Sequence, residues 1–348
     1  MRHLRLAVLA VLCIVTLAST LRPIASAQTT AAVRTFEFTY QVQVPADPDA
    51  AGTANMWIPI PPSDDYQDIS NLHIESPVRF RQGRDLEYGN AFALFSPSAE
   101  QSASGFAISL RFRVTRREHL VRLTPVARNT SSKPVSPDPL LARYLQPDKL
   151  VPLNETIVQL ATENTVGDTT PLQKARHIYE YVVATMSYDK SGEGWGRGDA
   201  IWACTSKRGN CTDFHSLLIG MMRASGIPAR FEIGFPLPDD KSQTDIPGYH
   251  CWAEFYLDGL GWVPVDASAA WETPDKKDYF FGAHDANRVL FTTGRDIHLS
   301  AEQKGGPLNY FVYPYEEVKG QPTKNFQTRF AFRDVGAARN KLIATNVE

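Results

Sequence analysis

The chain has little cysteine, no excess of charge and few long apolar runs. Its 348 residues carry 36 basic and 38 acidic side chains, a net charge of −2. Nothing in that balance draws a polyanion, so no nucleic-acid partner is expected. The four cysteines, at 13, 204, 211 and 251, form no C-x-x-C pair, and no H-E-x-x-H occurs. A metal site built from Cys204, Cys211, His250 and Cys251 would also need His250 and Cys251, neighbours on a strand, to point the same way. No metal and no cofactor is therefore expected, and there is no internal repeat.

The one long apolar run lies at the start. Arg2 and Arg5 precede apolar residues 6–17, and a small-x-small site follows at Ala25, Ser26 and Ala27. This pattern reads as a signal peptide, residues 1–27, because the run is short for a bilayer and is followed by Thr20, Arg22 and Pro23. The mature protein is expected in the periplasm or outside the cell, without stable membrane insertion. Cys13 follows Val11 and Leu12, where a lipidation signal would have small residues, and leaves with the signal. Three cysteines remain in an oxidising compartment, so at least one is free or pairs between molecules. Cys204 with Cys251 would leave Cys211 free; Cys204 with Cys211 would silence it.

Period-two alternation marks residues 28–128. In "RTFEFTYQVQVP" the residues Phe36, Phe38, Tyr40, Val42 and Val44 alternate with polar neighbours, and "GFAISLRFRVTRR" repeats the pattern. An all-β sandwich is predicted there. Residues 129–153, rich in proline and serine, read as a linker. Over 154–335 the periods mix, which implies an α+β domain. Thr170 and Pro171 open a helix, "CTDFHSLLIGMMRASG" gives a second that ends at Gly226, and "PARFEIGFPLP" reads as a strand. "YHCWAEFYLDGLGWVPVDAS" reads as two strands joined by a glycine turn. The C-terminal aromatic runs are taken as an extension of this domain, and residues 336–348 as a loosely ordered tail.

Cys211 falls in the first turn of the second helix, where the helix dipole and unpaired N–H groups favour a thiolate. A nucleophile there needs a base, and the base needs an orienting group. Alternation along "HCWAEFY" places His250, Trp252, Glu254 and Tyr256 on one face and Cys251, Ala253 and Phe255 on the other. If the helix covers the first face, His250 meets Cys211. A hairpin centred near Gly259 pairs position 250 with about 268, which brings Asp266 to His250. His215, one turn into the helix, is an alternative partner for the thiol. Trp252, Glu254 and Trp262 are read as packing residues.

Three motifs stand in order: "GNC" at 209–211, "HCWAE" at 250–254 and "GLGWVPVD" at 259–266. In them, and in "ASGIPARFEIGF", residues 170–270 resemble the transglutaminase-like superfamily, whose fold is related to papain-like cysteine peptidases. The resemblance implies Cys211 as nucleophile, His250 as general base and acid, and Asp266 as the orienting carboxylate. It implies a thioester acyl-enzyme formed on a peptide, protein or cell-envelope polymer. An oxyanion donor from an upstream aromatic would be Trp195 or Trp202. Hydrolysis is favoured over amine cross-linking because no second amine site can be read. The alternative is a catalytically silent module that binds a peptide or envelope polymer.

Overall fold

The structure is a computed structural model that describes residues 31–50, 54–123 and 139–336. The expected signal peptide, residues 129–138 of the expected linker and residues 337–348 of the expected tail lie outside the described residues. The chain enters as β1 (Val33–Val44) and continues through β2 (Ala54–Ile60), β3 (Gln67–Glu75), β4 (Phe80–Arg84) and β5 (Ala91–Phe95). A short helix α1 (Ala99–Ser104), β6 (Phe106–Arg117) and β7 (His119–Leu120) follow. Next come α2 (Pro139–Ala142), α3 (Glu155–Glu163), α4 (Pro171–Thr185), β8 (Ser187–Tyr188), α5 (Ala200–Ser206), β9 (Arg208–Gly209) and α6 (Cys211–Ala224). The last part runs through β10 (Ala229–Pro236), β11 (Gln243–Ile246), β12 (His250–Leu257), β13 (Gly261–Val265), α7 (Ala267–Glu272), β14 (Ala283–His284), β15 (Arg288–Thr293), β16 (Tyr315–Val318), β17 (Gln321–Thr323) and β18 (Gln327–Asp334).

The expected helices form where their start signals stand. Thr170 caps α4 in a capping box with Gln173, and Pro171 occupies the first turn, where its missing N–H costs nothing. α6 runs to Ala224, and Gly226 adopts positive φ just beyond it. The hairpin register also stands as read: Ala253 faces Val265, the same register that places position 250 opposite 268. β12 lies inside a four-stranded antiparallel sheet of order β13-β12-β10-β15, and α6 packs against it. The architecture is thus α+β, with the helix of Cys211 on an antiparallel sheet. Among the described residues, no helix is long and apolar enough to cross a membrane.

The strands of residues 28–128 pair with strands from later in the chain as well as with one another. They belong to two five-stranded antiparallel sheets, β11-β18-β1-β6-β3 and β17-β16-β2-β5-β4. Three strands from the chain's far end and one from the middle complete them. The C-terminal runs therefore do more than extend the α+β region. Strand β1 is paired on both sides, by β6 from Val33 to Val44 and by β18 from Phe36 to Gln43.

The physical reason lies in the core. Phe38 and Tyr40 of β1 meet Phe235 of β10 and Phe291 of β15, and Phe330 of β18 lies 4.3 Å from Phe235 between ring centroids. These rings, with Phe112 of β6, are buried in one cluster that includes Leu217, Leu218 and Met221 of α6. One continuous apolar interior spans the regions that composition had separated.

Candidate active site

Cys211 is the first residue of α6, and the preceding turn is built to present it. The Asn210 side-chain oxygen accepts the Thr212 N–H at 3.0 Å, and Asp213 Oδ2 accepts the Asn210 N–H at 2.9 Å, which closes a capping box. Asp213 also gathers the glycine-rich loop, accepting N–H bonds from Gly196 at 2.6 Å and Gly198 at 2.9 Å. Gly209 has φ +148°, and a Cβ there would run into the Asp213 side chain. The glycine two residues before the thiol is therefore a steric need of the carboxylate that holds this loop.

His250, the first residue of β12, hydrogen-bonds through Nε2 to Asp266 Oδ2 at 2.8 Å, and its imidazole interacts electrostatically with the Cys211 sulfur. With Nε2 engaged by the carboxylate, Nδ1 is the ring nitrogen left for sulfur. Asp266 is fully buried. Its Oδ2 takes a second bond from Arg288 Nη1 at 3.1 Å, while its Oδ1 accepts the Ala269 N–H at 2.9 Å and the Ser268 hydroxyl at 3.1 Å. The carboxylate that touches the imidazole is also the N-cap of α7, so its position is locked by backbone.

Charge follows this geometry. Burial resists ionisation of Asp266, but the adjacent His250 and Arg288 outweigh it and hold the carboxyl well below its ordinary range. Burial likewise opposes a charged His250, and Asp266 overcomes it, pushing the imidazole up to about 10. At Cys211, burial opposes the thiolate, yet hydrogen bonds from Cys251 and His250 and the imidazolium charge carry the thiol well below its usual range. These shifts favour a thiolate, an imidazolium and a carboxylate side by side over three neutral groups.

The face that α6 covers differs from the expected one. Cys251, not the His250 face, lies under the helix, with its sulfur 3.8 Å from both Thr212 Oγ1 and His215 Nδ1. The opposite face of β12 holds Trp252, whose indole N–H donates to Glu232 Oε2 at 2.7 Å, and Glu254, which accepts from Arg230 at 2.6 and 2.9 Å. Charged residues dominate that face, and the apolar alternates Cys251, Ala253 and Phe255 fit the helix better. His250 reaches the thiol because it stands at the strand's very end. Cys251 is thus a neighbour of Cys211, and burial together with the Cys211 contact pushes its own thiol well up. All three described cysteines are free thiols.

His215 is buried and committed to backbone: Nδ1 donates to the Cys211 carbonyl at 2.7 Å and Nε2 accepts the Ala267 N–H at 3.2 Å. That pattern fixes a neutral tautomer and ties α6 to α7. The Trp195 indole N–H donates to the Gly192 carbonyl at 3.1 Å, and the Trp202 ring lies beneath the Arg208 guanidinium at 5.6 Å. An upstream aromatic beside the nucleophile is Tyr188, whose hydroxyl is pushed well up by burial and by the Cys211 charge. Tyr249, just before His250, bonds Thr212 Oγ1 at 2.8 Å and receives a bond from Asn210 Nδ2 at 3.0 Å. Both tyrosines stand in plain view in "MSYDK" and "GYHCW", but no spacing rule singles them out.

Comparison with known proteins follows the same outline. Residues 158–267 match the family model of the transglutaminase-like superfamily. An uncharacterized protein of Haemophilus influenzae is 28% identical over 329 residues, which is 84% of this chain and 88% of that protein. The uncharacterized YebA of Bacillus subtilis is 23% identical over 217 residues, 57% of this chain but only 28% of YebA. A crystal structure from Cytophaga hutchinsonii, named provisionally as a cysteine protease, superposes with a TM-score of 0.60 at 17% identity, covering 89% of this chain and 94% of that one. At that identity the likeness is one of fold.

Proposed function

We propose, for a chain whose residues 158–267 belong to the transglutaminase-like superfamily, that it is an exported cysteine acyltransferase acting on a peptide or carboxamide carbonyl. Cys211 Sγ attacks the carbonyl carbon, and the carbon–nitrogen bond breaks. His250 gives its proton to the departing amine or ammonia, leaving a thioester on Cys211. His250 then takes a proton from water, the hydroxide attacks the thioester, and the acid is released as the Cys211 thiolate departs, which restores the thiolate and the imidazolium. No electron changes hands, so the balance calls for no cofactor. The developing oxyanion would lie against the Cys211 N–H at the start of α6.

The observation that supports this reading best is the His250–Asp266 hydrogen bond beside Cys211, with the thiol shifted down and the imidazole shifted up. Cys211 is 2% exposed and the His250 side chain 14%. A carbonyl must therefore arrive on an extended, slender arm. A peptide, a protein side chain or a cell-envelope polymer can supply one. Water is the acceptor of choice here, and an amine would give cross-linking through the same thioester.

The test is to incubate the mature protein with peptide and cell-wall carboxamide libraries and to follow intact mass. A thioester adduct on wild type that is absent from Cys211→Ala, followed by release of free acid, is the expected result. Binding of the same ligands with neither adduct nor turnover would favour the silent binding module instead.

A further inference from the structure

Behind the strand of His250 lies a second cluster that the acyl-transfer chemistry does not use. Strands β7 and β14 form a two-stranded antiparallel ribbon in which His119 and His284 stand directly opposite each other. Glu254 reaches the same point from β12. One donor atom from each of the three residues lies within 4.8 Å of the others, and all three are buried. The histidines have few alternative partners. His119 Nδ1 contacts Glu254 Oε1 at 3.1 Å, but His119 Nε2 and both ring nitrogens of His284 are buried with no hydrogen-bond partner among the described residues. A fully buried imidazole with both nitrogens unmet is costly, and such groups call for an explanation.

We propose that His119, Glu254 and His284 bind a divalent transition cation of the zinc class. Two imidazoles and one carboxylate oxygen suit zinc and its neighbours, and they are too few and too nitrogen-rich for calcium or magnesium. The surroundings fit this assignment. Arg230 holds Glu254 Oε2 through two bonds, so only Oε1 turns toward the histidines. That arrangement orients the carboxylate as the partners of a metal ligand usually do. Tyr66 stacks on His119 with ring centroids 3.6 Å apart, and Trp252 packs edge-on to His284 at 5.8 Å. The cation would exchange the His119–Glu254 contact for coordination and clamp the ribbon to β12. Trp252, which touches His284, also lies 5.9 Å from the His250 ring. The site would therefore brace the strand that presents His250, separately from the acyl-transfer reaction.

The experiment uses the whole mature chain without a histidine tag, stripped with a chelator and then titrated with zinc(II) or cobalt(II). The expected result is one zinc retained per chain after gel filtration, and a cobalt(II) absorption spectrum of nitrogen and oxygen ligation with no thiolate charge-transfer band. Affinity should fall in His284→Ala and in His119→Gln by on the order of 100-fold or more, and stay unchanged in Cys211→Ala. If those variants do not fold, zinc-induced shifts of the His119 and His284 ring nitrogens in the intact chain decide the matter. Substoichiometric zinc in wild type would overturn the proposal and leave a hydrated polar cluster only. A thiolate band that vanishes in Cys211→Ala would overturn it by placing the ion on the nucleophile.

Discussion

At the scale of single residues, Cys211 is acidic because of what surrounds it, and each contribution can be removed separately. Alkylation by iodoacetamide needs the thiolate, so its rate rises through the thiol pKa. With that value carried well down by Cys251 and His250, rapid alkylation of Cys211 should persist far below pH 8.5. Cys251→Ala removes one hydrogen bond to the sulfur and should move this acid limb upward, measured as rate against pH. On the alkaline side, His250 must keep its proton to act as the acid. Turnover should therefore fall as pH rises through about 10. Asp266→Asn leaves a side chain of the same shape without the charge, so the alkaline limb should move down toward the ordinary histidine range. Turnover should drop by on the order of 10⁴-fold. Cys211, His250 and Asp266 could be read from sequence because motif order and hairpin arithmetic converge on them. Tyr188 and Tyr249 could not, because their roles arise from where a loop and a strand end come to rest.

At the scale of elements, the turn before α6 is where sequence and geometry agree most closely. Gly209→Ala would place a Cβ at positive φ against Asp213 and should cost about 1–3 kcal/mol. It should also loosen the loop that Asp213 holds through Gly196 and Gly198. Denaturant unfolding measures the first effect, and amide exchange at the two glycines measures the second. Strand β12 marks the limit of such reading. Period-two alternation separates its faces correctly, but a central strand is covered on both sides, so alternation alone does not say which side takes the helix. The apolar Cys251, Ala253 and Phe255 decide it, and on the other face Glu254 meets Arg230 and His119.

At the scale of the whole molecule, the sandwich-like and α+β regions share one buried core. Phe235 lies at the junction, touching Phe38, Phe291 and Phe330 from three other strands. Phe235→Ala should cost about 3–5 kcal/mol, read from a single denaturant transition that moves the β-rich signal and the Cys211 environment together. Two transitions would show independent domains. Local patterns revealed β1 and β6 as strands, and would do the same for "QTRFAFRD", but no local pattern names a partner hundreds of positions away. Arg34 and Asp334, paired at 2.9 Å, stand 300 positions apart. This pairing sets an order on the ribosome. β1 leaves the exit tunnel first and meets its outer partner last, so Phe38 and Tyr40 wait for Phe330 until translation is nearly finished. A nascent chain released before residue 327 would carry the thiol, the imidazole and the carboxylate, yet would present an open strand edge and an unsealed aromatic core. Premature termination here produces an aggregation hazard in place of a shortened enzyme.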